Sequence, residues 1–516
     1  MSTFLEMLAG DILSTRAEML KSNSFHDLCV VFPTHRAGLF FKKHFAAQAG
    51  RNIWAPAVLS IEEFIAEHSG LVIPDQLTLL CELHQSCRKH FPGESFEKFY
   101  PWGTVMLGDF DEADKCMADT SRLFRTISDL QQLDEKFGLP EEELERIRSF
   151  WKLFSGKQKG RLKSEFLKTW NVLEQVYPDF TGKLRGKGWA TAGMAVRQFA
   201  ENTGKGTFAS RWKHFVFAGF YALSKAEELI FSGLEKTGCA RIYWDADVWY
   251  ADNPEQEAGK FFRSSCLFRD NSNWKGDHFS GTGKTIHITG VPLHAGQAKA
   301  AGSEIRKLFA AAGAQAGEDR TALVLPDETL LFPALHSIPP EIPRFNVTMG
   351  YPFAATPLYG LAESLIRLQQ NCNSRGFFHR DVLAALMHPW IRPLAPAFVS
   401  AWIRKHEENT AHRVPAKSLL AGDAHPPIFA LLFSTDKEVG IIRYFTAIAE
   451  ALSDLFAERE EASTEGGSLA LFINRLHEIE RITGLYGLDM TPDAFLPLFR
   501  EVFRSARLPF TGEPLG

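Results

Sequence analysis

The stretch Leu28-Cys29-Val30-Val31-Phe32-Pro33-Thr34-His35-Arg36-Ala37-Gly38-Leu39-Phe40 decides the fold class. Leu28 to Phe32 is an apolar run of strand length, stopped by Pro33-Thr34. A helix follows from Gly38 to Gln48, with Leu39, Phe40, Phe41 and Phe45 as its apolar positions. Strand, turn and helix in that order are the first piece of an α/β unit. Upstream, residues 1–20 read as an amphipathic helix through Phe4, Leu5, Leu8, Ile12 and Leu13. Downstream, a short strand lies near Ala57 to Leu59. Ser60 then caps a helix through His68, with Glu63 placed for a capping box.

Farther along, residues 75–205 read as helical, without a βαβ rhythm. The rhythm resumes at His214-Phe215-Val216-Phe217-Ala218-Gly219-Phe220, a buried-type strand. A helix from Lys225 to Thr237 and a strand from Ala240 to Trp244 follow. Residues 252–283 are polar and Gly-rich and read as loop. A second α/β stretch is expected from the strand Thr285-Ile286-His287-Ile288-Thr289, a helix from Gly296 to Ala312 and a strand from Thr321 to Leu325. Residues 376–505 read as helical again, broken by Pro-rich turns. The Gly-Glu-Pro turn just before Gly516 suggests a domain that continues past the end of the chain.

Composition bounds the function classes. At about 150 residues per domain, 516 residues imply three to four domains. An apolar content of 45% and a charged content of 23% exclude a disordered or fibrous chain. A net charge of −5 excludes a polycation, so any nucleic-acid contact must come from a local patch. The apolar runs are too short for a membrane span, and Met1 to Glu6 lacks a signal-peptide pattern. Seven cysteines without a CxxC pair suit reduced thiols in the cytoplasm. The excess of 43 Phe over 9 Tyr points to several large cores.

Site chemistry in the sequence is mostly absence. Gly281-Thr282-Gly283-Lys284-Thr285 imitates the tail of a phosphate loop, but it lacks the earlier glycine, and a strand rather than a helix is expected after it. Val105 to Glu112 imitates a strand ending in metal-holding acids, and it reads equally as a helix start. Cys81, His84, Cys87 and His90 step round a helix by about 60° each, so they do not converge on a metal. No Asp/Glu-x-Lys stands in a strand context, and Gln297-Ala298-Lys299 is the nearest imitation. The basic stretch Lys152, Lys157, Lys159, Arg161, Lys163, Lys168, Lys183, Arg185 and Lys187 is interleaved with Trp151, Trp170 and Trp189. Such a stretch grips phosphates and stacks bases, or it is a solvated helical face over core tryptophans.

Several segments, in order, resemble one family. They are Val31 to Phe40, Phe99-Tyr100-Pro101-Trp102-Gly103 with Gly108 to Asp111, Phe217 to Ser224, Tyr243 to Asp247, Asn346 to Pro352 and Leu508 to Leu515. The chain resembles the N-terminal part of the AddB-like PD-(D/E)XK nuclease proteins of Bacteroidetes-type bacteria. The similarity spreads over the whole chain. Each motif is weak, and the order of the motifs is specific. The resemblance implies a subunit of an AddAB/RecBCD-like machine that processes DNA double-strand ends and acts in recombinational repair, with an AddA-like helicase-nuclease partner.

The fold so implied is α/β, with two RecA-like, superfamily 1 helicase-like lobes, each carrying a mainly helical insertion. The first lobe would comprise 1–74 plus 206–283, interrupted by a helical insertion at 75–205. The second would comprise 284–372 plus 506–516, interrupted by a second insertion at 373–505. A nuclease domain is expected beyond Gly516, and the divalent metal and iron–sulfur cluster implied by the resemblance belong to that domain. No cofactor is expected in this chain.

Two departures from the pattern matter. Ser22-Asn23-Ser24-Phe25-His26-Asp27 stands where a Gly-Lys-Thr loop would, and Ala218-Gly219-Phe220 stands where Asp-Gly-Phe would carry a magnesium-side acid. Without a phosphate cradle and a metal acid, phosphoryl transfer has no positioning, so an ATPase-dead, DNA-binding scaffold is expected. The resembling fold places Thr34, His35 and Arg36 at a DNA-facing cleft, with Arg36 either a phosphate grip or an ion-pair partner. Thr348 and Tyr351 follow as second candidates. Gly350 would permit close approach of the backbone, and Tyr351 would stack on a base or pack beside Pro352. Lys157, Lys159, Arg161 and Lys163 complete the DNA-binding candidates. The rival expectation is a protein-docking module for the AddA-like partner that never touches DNA.

Overall fold

A computed structural model describes residues 3–93, 95–123, 159–270, 275–281, 283–312, 321–342, 345–407, 412–420, 426–436, 438–457, 463–488 and 490–508. The chain divides into two compact units, Met1–Glu94 with Trp102–Thr285, and Ser95–Pro101 with Ile286–Gly516.

The first unit is built on β1 (Leu28–Phe32), the strand read from the opening stretch. It is preceded by α1 (Phe4–Thr15) and α2 (Ala17–Lys21) and followed by α3 (His35–Ala49), β2 (Ala57–Ser60) and α4 (Ile61–Ser69). All five residues of β1 are buried. Leu28, Val30 and Phe32 pack on Leu8 and Ile12 of α1 and on Phe41 and Phe45 of α3. The opposite face of the sheet presents Phe215 and Phe217 of β3 (His214–Ala218) to Phe64 of α4, at 5.6 and 5.5 Å between ring centroids. Side chains alternate across a strand, so one apolar run supplies both faces.

After the insertion and β3, the chain continues through α9 (Lys225–Lys236) to β4 (Ala240–Tyr243). The four strands form a wholly parallel sheet in the order β2-β1-β3-β4. Val31 lies beside Leu59 on one side and Phe217 on the other. The helices start as the sequence dictates. Ser60 with Glu63 and Ser224 with Glu227 form capping boxes, each satisfying two amide groups at a helix start. The start of α3 differs from the sequence reading, because the helix begins at His35 rather than Gly38. Thr34 supplies the cap, so its own residues and not the glycine set the start.

The insertion between β2 and β3 comprises α5 (Gln76–Cys87), α6 (Phe96–Lys115), α7 (Lys159–Gly186) and α8 (Ala192–Gly204). The acids Asp109, Asp111 and Glu112 lie in the interior of α6, so the segment is neither a metal-bearing strand nor a helix start. Cys81, His84 and Cys87 are buried on α5. Beyond β4 the stretch read as loop holds short helices at Lys260–Ser264 and Cys266–Asp270. Their Phe262 and Phe268 pack on Trp244 at 6.0 and 5.6 Å. Three buried rings are enough apolar area to order a polar, Gly-rich segment.

The second unit is chiefly helical. It contains α10 (His294–Ala312), α11 (Pro357–Gln370), α12 (His379–Leu386), α13 (Pro396–Glu407), α14 (Ile441–Ala457), α15 (Ser463–Tyr486) and α16 (Pro492–Arg504). Phe353 stacks on Phe472 and packs on Phe503, and Phe445 stacks on Phe495. The many phenylalanines therefore fill cores in this unit as in the first. The strands expected at Thr285–Thr289 and Thr321–Leu325 do not form, since neither segment joins a sheet among the described residues. Ile286 and Ile288 are 78% and 93% exposed. Strand propensity needs a ladder partner to be expressed, and neither segment has one there. No helix among the described residues is long and apolar enough to cross a membrane, and all seven cysteines are free thiols.

Two predictions follow from this packing. A Cβ on Gly38 would stand 2.7 Å from Cγ1 of Val58, a stiff β-branched neighbour. Gly38→Ala should therefore cost about 1–2 kcal/mol net, overpacking being partly offset by better helix propensity. The check is the urea midpoint at unchanged m-value.

His68 packs against the rings of Phe199 and Phe208, which also touch each other. It hydrogen-bonds the Phe64 carbonyl through Nδ1 and Ser210 Oγ through Nε2. Burial lowers its pKa below the usual imidazole value. A depressed folded pKa means that the neutral form stabilises the fold above about pH 6.5, and that this is lost as pH falls below it. Denaturation midpoints should drop between pH 7 and pH 5, and His68→Phe should make that slope shallower.

Candidate functional site

The strand order places a topological switch between β1 and β3. From β1 the chain crosses to β2 on one side, then returns through the insertion to β3 on the other. In open parallel sheets the connections at such a point diverge and leave a crevice beyond the carboxyl ends of the strands, where ligands bind. Pro33-Thr34-His35-Arg36 leaves β1 there, and Gly219-Phe220-Tyr221 leaves β3.

Thr34 is spent locally. Its hydroxyl oxygen accepts the Ala37 N–H at 3.5 Å and caps α3. His35 reaches sideways, with Nε2 3.1 Å from Oε1 of Glu63. The other oxygen of Glu63 accepts the Ser60 N–H at 2.8 Å. This amide, with the His35 side chain adding to it, holds the Glu63 carboxyl below its usual range. The pair ties the start of α3 to the start of α4. Arg36 is exposed and, among the described residues, forms no ion pair. Its guanidinium lies 5.8 Å from the centre of the Phe40 ring. Of the three, Arg36 is the charged group that makes no ion pair among the described residues.

On the other wall Gly219 has φ 74° and donates its N–H to the Tyr243 carbonyl at 3.0 Å. A side chain there would be strained, so the sharp exit from β3 explains the glycine. Phe4 of α1 lies beside it, 3.6 Å from where a Cβ would stand.

The other candidates separate. Gly350 does not admit a ligand, because a Cβ there would stand 2.7 Å from Cβ of Arg507 in this same chain. The approach serves the antiparallel pairing of β5 (Tyr351–Pro352) with β6 (Arg507–Leu508). Tyr351 packs edge-on against Phe332 at 4.5 Å and donates its hydroxyl to the Ala355 carbonyl at 3.3 Å. Its ring is therefore engaged internally, and Thr348 remains exposed. Lys157 lies outside the described residues, as do the side chains of Lys159, Arg161 and Lys163, whose backbone opens α7.

At the end of α7 and just past it, two lysines of the basic stretch pair with acids of this chain. Lys187 Nζ is 2.5 Å from the buried Glu82, and Lys183 pairs with Asp179 at 3.0 Å. Lys187 also lies 4.9 Å from the centre of the Trp189 ring. Sequence reasoning could not see these partners, because Glu82 and Lys187 are 105 residues apart. It also missed the buried cluster in which Asp114 accepts from Tyr177 Oη at 2.6 Å and from Arg197 at 3.3 Å. No group of three or more His, Cys, Asp or Glu arranged for a metal occurs among the described residues.

Removing Lys187 leaves a buried carboxylate short of a partner. Lys187→Ala should cost about 1–3 kcal/mol, less than a fully buried pair because the ammonium is half in water. The measurement is the thermal midpoint, and nucleic-acid affinity at a temperature where both forms are folded should be unchanged.

No family model matches the chain, and no curated protein matches it, so the carboxyl edge of the parallel sheet is the site its own geometry assigns.

Proposed function

We propose that the chain is an ATPase-dead, helicase-like DNA-binding scaffold of an AddB-type nuclease, acting on double-strand ends in recombinational repair. On this reading the four-stranded sheet is the first of two RecA-like lobes, α5 to α8 are its helical insertion, and residues 284–372 with 506–516 belong to the second lobe. The observation that carries the reading is the placement of Arg36. It stands exposed, without an ion pair among the described residues, at the switch point of a doubly wound parallel sheet. A guanidinium there is suited to grip a phosphate with two parallel N–H donors.

The same place lacks what nucleotide hydrolysis requires. No Gly-Lys-Thr cradle precedes β1 and no acid follows β3, where Gly219 turns the chain. The scaffold would bind DNA and pass it to a nuclease domain, without driving its own movement.

A second reading, docking of an AddA-like helicase partner without DNA contact, draws on Ile286 and Ile288, two exposed apolar side chains in a segment that joins no sheet. Exposed apolar groups of this kind often mark a protein contact.

Fluorescence anisotropy of the chain with a labelled forked duplex and a single strand, over a salt series without ATP, separates the two. The scaffold reading expects log K to fall linearly with log salt, and Arg36→Ala to reduce that slope by about one phosphate contact. Absence of binding at low salt would overturn it in favour of docking.

A further inference from the structure

The segment from Ile286 to Gly290 opens the second unit and forms neither helix, turn nor sheet among the described residues. None of its backbone N–H or C=O groups makes a hydrogen bond there. Its side chains alternate. His287 and Thr289 line a groove with Gln297, Ala300 and Glu304 of α10. Ile286 and Ile288 are 78% and 93% exposed. That period is the period of a strand. Open backbone groups beside exposed β-branched side chains are a template for pairing with another chain.

Thr285-Ile286-His287-Ile288-Thr289 also reads the same in both directions. Laid antiparallel on a second copy, about a twofold axis at His287, it sets Ile286 opposite Ile288 and Thr285 opposite Thr289, each pair twice over. Facing β-branched pairs are favourable neighbours across an antiparallel ladder. None of the five residues is Asp, Glu, Lys or Arg, and Lys284 falls opposite Gly290, so no lysine faces a lysine. A slip by one residue would face Ile286 with His287 and turn the isoleucines of the two copies to opposite faces.

We infer that two copies of this chain associate through an antiparallel ribbon of Thr285–Thr289, closed by a twofold axis at His287. A twofold contact needs a surface complementary to itself. A strand from a different chain would place no such demand on the segment, and the segment meets it. Area sets the strength of the pairing. A ribbon of five residues a side is about 17 Å long and covers on the order of 600 Å² in total, below the roughly 1,200 Å² of a stable dimer. The assembly is therefore a weak dimer, with Kd on the order of 100 μM. It requires neither DNA nor an AddA-like partner, and so goes beyond both readings above.

The test is sedimentation equilibrium of the full chain at pH 8, over concentrations from far below that Kd to several times above it. The weight-average mass should rise from 57.9 kDa toward twice that value. Ile286→Lys with Ile288→Lys sets ammonium groups opposite one another and should hold the chain monomeric over the same range. Mixed with a chain carrying Ile286→Glu and Ile288→Glu, it should form a mixed dimer, since each lysine then faces a carboxylate. Both isoleucines are exposed, so the thermal midpoints of these variants should match the wild type.

Cysteine cross-linking reads the register. In a background of Cys116→Ser and Cys266→Ser, which removes the two exposed thiols, His287→Cys should join two copies under copper-catalysed air oxidation, because facing Cβ atoms stand about 4.5–5.5 Å apart. Thr285→Cys should not, since its two copies lie four residues apart along the ribbon, about 13 Å. A chain that stays at 57.9 kDa at every concentration would overturn the inference. So would a dimer that survives the lysine pair, or cross-linking by Thr285→Cys as complete as by His287→Cys. Should the lysine pair fail to fold, the two cysteine variants decide the question alone. The scaffold reading is tested separately, by DNA affinity.

Discussion

Burial of β1 on both faces is the constraint from which the first unit follows. A five-residue strand with no exposed side chain needs a cover above and a cover below. α1 and α3 supply one, and α4 with the insertion's last helix, α8, supplies the other. The neighbouring strands are parallel, and parallel strands need crossover connections, which lay helices on the two faces of the sheet. The chain then has to reverse its direction of winding once, which it does between β1 and β3. The crevice at that reversal is a geometric by-product of packing. It exists before any ligand is considered, and it presents whatever side chains happen to follow the two strands.

The helical insertion shows the opposite regime, in which polar groups set the register of helices. Glu82 with Lys187, and Asp114 with Tyr177 and Arg197, are charged or hydroxyl groups brought together across distant helices. Burying such groups carries a desolvation cost that close partners offset. On α3, by contrast, Arg36 has no ion pair among the described residues.

The parts legible in the sequence were those fixed by local physics. The run Leu28 to Phe32, the run His214 to Ala218 and the capping residues Ser60 and Ser224 each announce their structure within a few residues. Where reading failed, a distant partner was responsible. Thr285–Thr289 carries a strand pattern, yet it joins no sheet among the described residues. Gly350 carries the freedom of a ligand loop and spends it on Arg507. Residues 252–283 read as loop because their turn residues outnumber their apolar ones, while Trp244 awaits Phe262 and Phe268.

By itself, then, the sequence determined an α/β chain with buried strands, helices that start at Ser60 and Ser224 and a missing phosphate cradle. These are matters of period, propensity and residue identity, all short-range quantities. The tertiary structure decided which charges stay available and which rings stay exposed. Arg36 keeps no ion-pair partner among the described residues and Lys187 is paired with the buried Glu82, although both are basic residues beside aromatic rings. The difference lies in whether folding brings a carboxylate within about 4 Å, and only the path of the chain through space settles that.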